Sequence, residues 1–394
     1  MKSQTDKTPS LRYPEFIGSW HDYLLGDYLD FKNGFNAEKS QYGAGKKFIN
    51  VLDIINESPI VYDSIIGSVR MSETEFKNYQ VKYGDILFQR SSETREEVGQ
   101  SNVYLDRDSA ATFGGFVIRG SAKQEYDPLF FHYLLKTDPV RKDITSRSGG
   151  STRYNIGQES LRVVSIVIPT QAEQKKIAMF LSAMDEKIEH LTRKKALLLK
   201  YKKGVMQQIF EQKIRFKEDN GNDFPDWQTV SLSEVLDYEQ PAKYLVSDTG
   251  YSNEYSTPVL TAGKTFVLGY TNETYGVYER HLPVIIFDDF TTATKFVDFR
   301  FKVKSSALKI LKPQLGINLR FIFEAMQRLK FVPGGHERHW ISKFSYLTIK
   351  LPDLIEQQKI AAFLSLLDAK IALLTDQLER VTEFKKGLLQ QMFV

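Results

Sequence analysis

The chain has 394 residues, more than one hydrophobic core usually organises, so two or three domains are expected. With 42% hydrophobic, 13% aromatic and 26% charged residues it can bury a sizeable core, which excludes the disordered and collagen-like classes. Zero cysteines exclude a disulfide scaffold, thiolate zinc sites and cysteine nucleophiles, and a net charge of only +4 leaves any nucleic-acid binding to local patches or to partners.

In chain order, Met1-Lys2-Ser3-Gln4-Thr5-Asp6-Lys7 lacks the apolar core of a signal peptide, and no apolar run reaches the roughly 18 residues that span a bilayer. A cytoplasmic protein without membrane contact is therefore expected. Leu11-Arg12-Tyr13, Trp20, Leu25, Asp27 and Leu29 follow. Residues 48–54, 83–88 and 115–119 read as strands, and residues 127–135 as a helix that starts on Pro128. Gly149-Gly150 opens a GG-x-x-R-x-x-I pattern that ends at Ile156, and a strand-like run leads to Pro169.

From there Ile177, Leu181, Met184, Ile188, Leu191, Lys195, Leu198, Lys202, Val205 and Ile209 alternate at spacings of four and three. That is the a/d period of a coiled coil and predicts a helix of roughly 60 Å at about 1.5 Å per residue. Residues 213–223, KIRFKEDNGND, read as a hinge. Beyond it, residues 258–261, 284–287 and 307–311 read as strands and 319–329 as a helix. Gly334-Gly335 opens a second GG-x-x-R-x-x-I pattern, and Pro352 precedes a second long helix. Its a/d series is Ile360, Leu364, Leu367, Ile371, Leu374, Leu378, Val381, Lys385, Leu388 and Met392. Lys195, Lys202 and Lys385 interrupt the two series, while Phe180, Phe363, Leu366 and Leu373 widen the stripe and suggest packing on a globular domain.

The second half repeats the first. Residues 169–210 and 352–393 align at a constant offset of 183 with 20 of 42 positions identical and no gap. Trp20, Leu25, Asp27 and Leu29 share their spacing with Trp227, Leu232, Glu234 and Leu236, and Leu11-Arg12-Tyr13 matches Ile214-Arg215-Phe216. Between these landmarks the two halves barely resemble each other. The expected fold is α+β: two globular mixed-sheet domains joined by two long helices that form an antiparallel coiled coil, with an internal pseudo-two-fold tandem repeat. The antiparallel arrangement gives each helix a neighbour without clashing the bulky domains.

Catalytic chemistry is hard to find. Gly43-Ala44-Gly45-Lys46-Lys47 places Ser40 where a phosphate loop needs its first glycine, and Lys47 where it needs a hydroxyl. Asp127-Pro128-Leu129-Phe130 has no glycine-rich cofactor loop before it and is better read as a helix start. His336-Glu337-Arg338-His339 does not match HExxH, and Asp288-Asp289 reads as a strand-end turn. No catalytic residue, metal ligand or bound cofactor is expected in this chain.

The layout of two divergent domains, each followed by a near-identical long helix, resembles the specificity subunit of type I restriction-modification enzymes. The likeness covers nearly the whole chain. It is carried by Pro-x-x-x-Glu-Gln-x-Lys-Ile-Ala-x-Phe-Leu-Ser-x-x-Asp-x-Lys-Ile at 169–188 and 352–371, by Lys-Lys-Gly-x-x-Gln-Gln at 202 and 385, and by Tyr83-Gly84-Asp85-Ile86-Leu87. The resemblance implies target recognition domains at 1–168 and, with the hinge, at 213–351, and conserved long helices at 169–212 and 352–394. Each domain would read one half of an asymmetric, split sequence in double-stranded DNA. Two modification subunits, which methylate adenine with S-adenosylmethionine, would dock on the helices, and restriction subunits using ATP and Mg²⁺ could join them.

Base reading and phosphate clamping need cationic and amide side chains on exposed loops. On that basis the candidate DNA contacts are Lys46, Lys47, Arg90, Arg95, Arg147, Arg153 and Tyr154 in the first half, and Lys264, Lys295, Arg338, His339 and Lys343 in the second. The shared GG-x-x-R pattern reads equally as a glycine turn with a solvated or paired arginine. The helix–helix packing set is Ile177, Leu181, Met184, Ile188, Leu191 and Leu198 against Ile360, Leu364, Leu367, Ile371, Leu374 and Leu378. A different class also fits, an interaction or inhibitory protein that occupies the same partner surface without reading DNA.

Overall fold

The computed structural model describes residues 7–261, 265–333 and 338–394. The chain divides into two compact units. The first is Met1–Arg193 together with Asp376–Val394, the second Lys194–Thr375. Each unit therefore takes one half of each long helix, and the units do not coincide with the tandem halves of the sequence. Among the described residues no helix is long and apolar enough to cross a membrane.

The helices span Gln171–Phe210 and Leu354–Gln391. Pro169 and Pro352 stand just ahead of their first turns, where no backbone N–H is needed. Gln212, at φ +56°, turns the chain out of the first helix. In the first unit Ile177 and Leu181 share a core with Leu388, Met392 and Phe393 from the far end of the second helix. In the second unit Ile209 shares a core with Ile360, Leu364 and Leu367, while Lys202 Nζ donates to the Asp368 carboxylate at 2.6 and 2.8 Å. Within each unit, then, the two helices run in opposite directions, as expected.

Two of the three lysines that interrupt the heptads have a purpose. Lys385 pairs with Asp185 as Lys202 pairs with Asp368, the same contact displaced by the repeat. Met184, Ile188, Leu191, Leu198, Ile371 and Leu378 are half-buried and Leu374 is buried, so the a/d stripe faces protein throughout. Phe180 packs on Tyr13 and Phe363 on Phe216. Leu366 and Leu373, expected to widen that stripe, are exposed instead, because each lies about 100° round the helix from the buried leucine that follows it.

The two globular domains share one topology. In the first unit a four-stranded antiparallel sheet has the order Leu29–Asn33, Val117–Ala122, Ile86–Gln89, Ser101–Val103. In the second the order is Leu236–Glu239, Leu308–Pro313, Val284–Asp288, Thr294–Val297. A three-stranded mixed sheet accompanies each. Tyr42–Ile49 lies between antiparallel Ser68–Val69 and parallel Thr112–Phe113, and Thr257–Leu260 lies between antiparallel Val267–Thr271 and parallel Lys302–Val303. At the base of each domain a two-stranded ribbon closes the loop of chain, His21–Leu24 with Ser165–Ile168 and Gln228–Ser231 with Thr348–Leu351.

Strand alternation splits each domain into two cores. Ile86 and Phe88 face the helix-side cluster and Leu87 the opposite one; Ile285 and Phe287 face the helix side, Val284 and Ile286 the other. Both faces are covered, which is why these strands read as unbroken apolar runs. Residues 48–54, predicted as one strand, end as a strand at Ile49 and continue as a short helix, Val51–Ile54. There the Asp53 carboxylate accepts from Asn50 N at 2.8 Å and caps the turn. The helix predicted from Pro128 runs Pro128–Leu134, with the Asp127 carboxylate accepting from Phe130 N at 2.8 Å.

Candidate nucleic-acid interface

The repeated Pro-x-x-x-Glu-Gln run holds domain to helix. Glu173 is 1% exposed and accepts from Arg12 Nε and Nη2, both at 2.8 Å, and from Trp20 Nε1 at 3.3 Å. Glu356 is fully buried and accepts from Arg215 Nε at 3.2 Å, Arg215 Nη2 at 2.8 Å and Trp227 Nε1 at 2.9 Å. The neighbouring glutamines do equivalent work. Gln174 donates to the Pro169 carbonyl and accepts from Asp127 N; Gln357 donates to the Pro352 carbonyl and accepts from Asn318 N. Arg215 thereby ties the start of the expected hinge to the second helix.

The Tyr83-Gly84-Asp85-Ile86-Leu87 run is also structural. Asp85 lies buried at the start of the central strand and accepts from Lys82 N at 2.9 Å. Burial pushes its carboxyl up to about 6, against the pull of that N–H and of Arg119.

The first-half candidates fall in two places. Arg90, Arg95, Arg147, Arg153 and Tyr154 gather around a small ribbon in which Ser91–Ser92 pairs with Tyr154–Asn155. Arg90 receives Ile156 N on its carbonyl, Arg95 Nε donates to the Thr145 carbonyl at 3.3 Å, and Arg147 Nε donates to Asp143 at 2.8 Å. Arg153 is exposed, and its guanidinium has no partner among the described residues. Tyr154 is half-buried against the core. Lys46 and Lys47 lie elsewhere, on the three-stranded sheet. Lys46 pairs with Glu73 at 2.9 Å and sits over the Phe76 ring. Lys47 is a correction: its ammonium is spent on the Ile65 carbonyl and the Tyr62 ring, inside its own domain. The glycines before it serve a strand irregularity between Tyr42 and Lys46 and form no phosphate cradle; Gly45 has φ +101°.

In the second half, Lys264 lies outside the described residues, as do Gly334, Gly335, His336 and Glu337. Lys295 is exposed on the edge strand, 5.9 Å from the Phe266 ring centre. Arg338 and Lys343 are exposed. His339 is a correction, being fully buried beside Phe331, with neither ring nitrogen bonded among the described residues. The shared glycine pattern also shifts register. Ile156 N donates to the Arg90 carbonyl and His339 N to the Asp289 carbonyl, at the same point of the same topology, so Ile156 corresponds to His339 and not to Ile341. Asp288 and Asp289 form the expected strand-end turn: Asp288 accepts from Phe290 N at 2.9 Å and Thr291 Oγ1 at 2.6 Å, and Asp289 from Trp340 N at 2.8 Å, beside buried Lys309 at 3.2 Å.

Sequence reasoning missed a polar cleft of about 470 Å³ in the second unit. The connection from Thr271 to His281 forms one wall, with Tyr244, Ser256 and Arg300 opposite. No local signal marks it, because its walls come from separate stretches of chain.

Comparison with known proteins settles the relationship. The family model described as "Type I restriction modification DNA specificity domain" matches residues 18–200 and again 225–383. The chain belongs to this family. A type I restriction enzyme specificity subunit of Escherichia coli is 46% identical over 161 residues, a stretch spanning 38% of this chain and 40% of that one. A Methanocaldococcus jannaschii chain named as a specificity subunit of the same enzyme class is 24% identical over 95% of this chain and 93% of its own. The fold matches the crystal structure of the type I restriction-modification S subunit from M. genitalium, with a TM-score of 0.67, 17% identity, and 98% and 99% of the two chains covered. A chain from a structural study of complex assembly in the type I system gives 0.52 at 16% identity, with 98% and 99% covered. In this family, whose model names DNA specificity, the duplicated match coincides with the two domains of shared topology.

Proposed function

We propose that this chain is the DNA-reading, non-catalytic subunit of a type I restriction-modification complex. Its two domains read the two halves of an asymmetric bipartite target, and adenine methyltransferase subunits dock on its long helices. The observation that carries this reading is one sheet topology built twice from unlike sequences, on helix anchors that repeat residue for residue. A common frame with different surfaces is what reading two different half-sequences requires. Exposed Leu197 and Tyr201, four apart on the first helix, and Leu366 and Leu373, seven apart on the second, give the helices apolar positions for a protein partner. S-adenosylmethionine, ATP and Mg²⁺ chemistry would reside in the partners.

Methylome sequencing of a host carrying this chain with its modification subunit tests the reading. The expected result is adenine methylation at a motif of two short, different halves with an unread gap, absent when either protein is absent. A continuous motif, or methyl transfer by the purified chain alone, would refute it. Affinity for the target should also fall steeply with salt, since phosphate contacts release counterions.

A further inference from the structure

Resting on that reading, we infer that the polar cleft of the second unit is its base-reading surface, with Tyr275, Arg280 and His281 as specificity-determining residues. None of these was a candidate from sequence.

The wall that carries them is held from beneath. Lys302 is 2% exposed; its ammonium pairs with Glu273 and donates to the Tyr275 carbonyl at 2.8 Å. Glu273 in turn accepts from Ser247 N and Asp248 N, each at 2.9 Å. Gly276 sits at φ +65°, where a Cβ would collide with the Lys243 carbonyl oxygen. At the far end Tyr278 exchanges both backbone hydrogen bonds with Phe301 and stacks on its ring at 5.0 Å. Tyr275 is thus set on anchored backbone, Arg280 and His281 stand between the Tyr278 anchor and the strand that starts at Val284, and the side chains of these three are not used by the fold. Tyr275 is 90% exposed, and Arg280 and His281 are exposed with no partner among the described residues.

The charge balance favours a polyanion with readable edges. Glu273 is neutralised by Lys302, which leaves Arg280 and Arg300 against Glu279, with the His281 ring beside them as a hydrogen-bonding group. Arg300 is oriented by donating to Ser256 Oγ at 2.8 Å. An arginine fork matches the O6 and N7 acceptors of guanine, and an aromatic face can lie against a thymine methyl. The position in the fold agrees. The wall is the connection between the strands Val267–Thr271 and Val284–Asp288, and its counterpart in the first unit carries instead a capped helix, Glu73–Asn78. One topology with different structures at one connection is where two readers can differ without disturbing their frame.

The test uses the full chain with its modification subunit, and selection of bound duplexes from a randomised library. Arg280→Ala, His281→Ala and Tyr275→Ala should each relax preference at one or two base pairs of a single half-site by about ten- to a hundredfold and leave the other half-site intact. These side chains are solvent-exposed, so thermal midpoints should stay at the wild-type value. Uniform weakening across all sequences would overturn the assignment by showing a phosphate contact, and unchanged selectivity would overturn it outright. If the wild type itself selects no bipartite sequence, the DNA-reading function falls as well, which separates the two failures.

Discussion

Glu173 and Glu356 are buried carboxylates that each collect three hydrogen bonds from the front of their unit. Such a group is stable only while its partners remain, because an uncompensated buried charge is far costlier than the pair is favourable. Glu356→Ala should therefore lower unfolding stability by about 3–5 kcal/mol in a urea titration, and Glu356→Gln by less, since the amide still accepts from Trp227. A loss below about 1 kcal/mol for the alanine variant would show that Arg215 finds water instead. His132 is a second residue-scale case. It is buried, with Nε2 at 3.1 Å from Lys136 Nζ, and burial, then Lys136 and Lys385, hold its imidazole well below the usual histidine range. A histidine kept neutral in the fold binds its proton only on unfolding. Its contribution is thus present above the unfolded value of about 6.5 and is lost as pH falls below it. The same position of the other domain's helix holds Phe323. In His132→Phe the fall in thermal midpoint between pH 7 and pH 5 should be shallower than in the wild type. Equal slopes would mean that the imidazole is already solvated in the native state.

At the scale of elements, the helix pair is specified by charge as well as by apolar period. Asp185 meets Lys385 and accepts from Tyr133 Oη at 2.7 Å, while Asp368 meets Lys202 and Arg320. Asp185→Lys should destabilise the first unit, and addition of Lys385→Asp should recover part of the loss, with a coupling energy on the order of 1 kcal/mol in a double-mutant cycle. Additive losses would mean the lysine reaches solvent. The long helices were legible because their signal is local: a 3.5-residue period, repeated, with prolines at the start. The strand at 83–88 was legible for its apolar run, yet the shared topology of the two domains was not, because it rests on pairings such as Leu29 with Ala122 and Leu236 with Pro313. The short helix at Val51 was misread as strand because Asn50 and Asp53 act through capping geometry that apolar periodicity does not register. His339 was a candidate by residue type, and only its full burial beside Phe331 shows that it turns inward. The cleft was illegible because Tyr244, Tyr275, Arg280 and Arg300 meet only when the sheet forms.

For the whole molecule, the repeat has a consequence that can be built. The ribbons His21–Leu24 with Ser165–Ile168 and Gln228–Ser231 with Thr348–Leu351 are matching necks, each lying between its tryptophan and its proline. Residues 21–168 can therefore replace residues 228–351 with both junctions on equivalent backbone. The grafted domain brings Asp127 N to donate to Gln357 as it donates to Gln174, and Tyr133 to meet Asp368 as it meets Asp185. The Arg215–Glu356–Trp227 anchor is untouched, since all three residues lie outside the exchange. Two identical readers bound with two-fold symmetry specify an inverted repeat. The chimaera, supplied with the modification subunit, should direct methylation to a target whose two halves are the first unit's half-sequence in opposite orientations, around the wild-type gap. Persistence of the second half-sequence in the chimaera's methylome would place its recognition outside residues 228–351. A chimaera that folds, binds its partner and methylates no inverted repeat would show that the duplicated frame does not set the orientation of the two half-sequences.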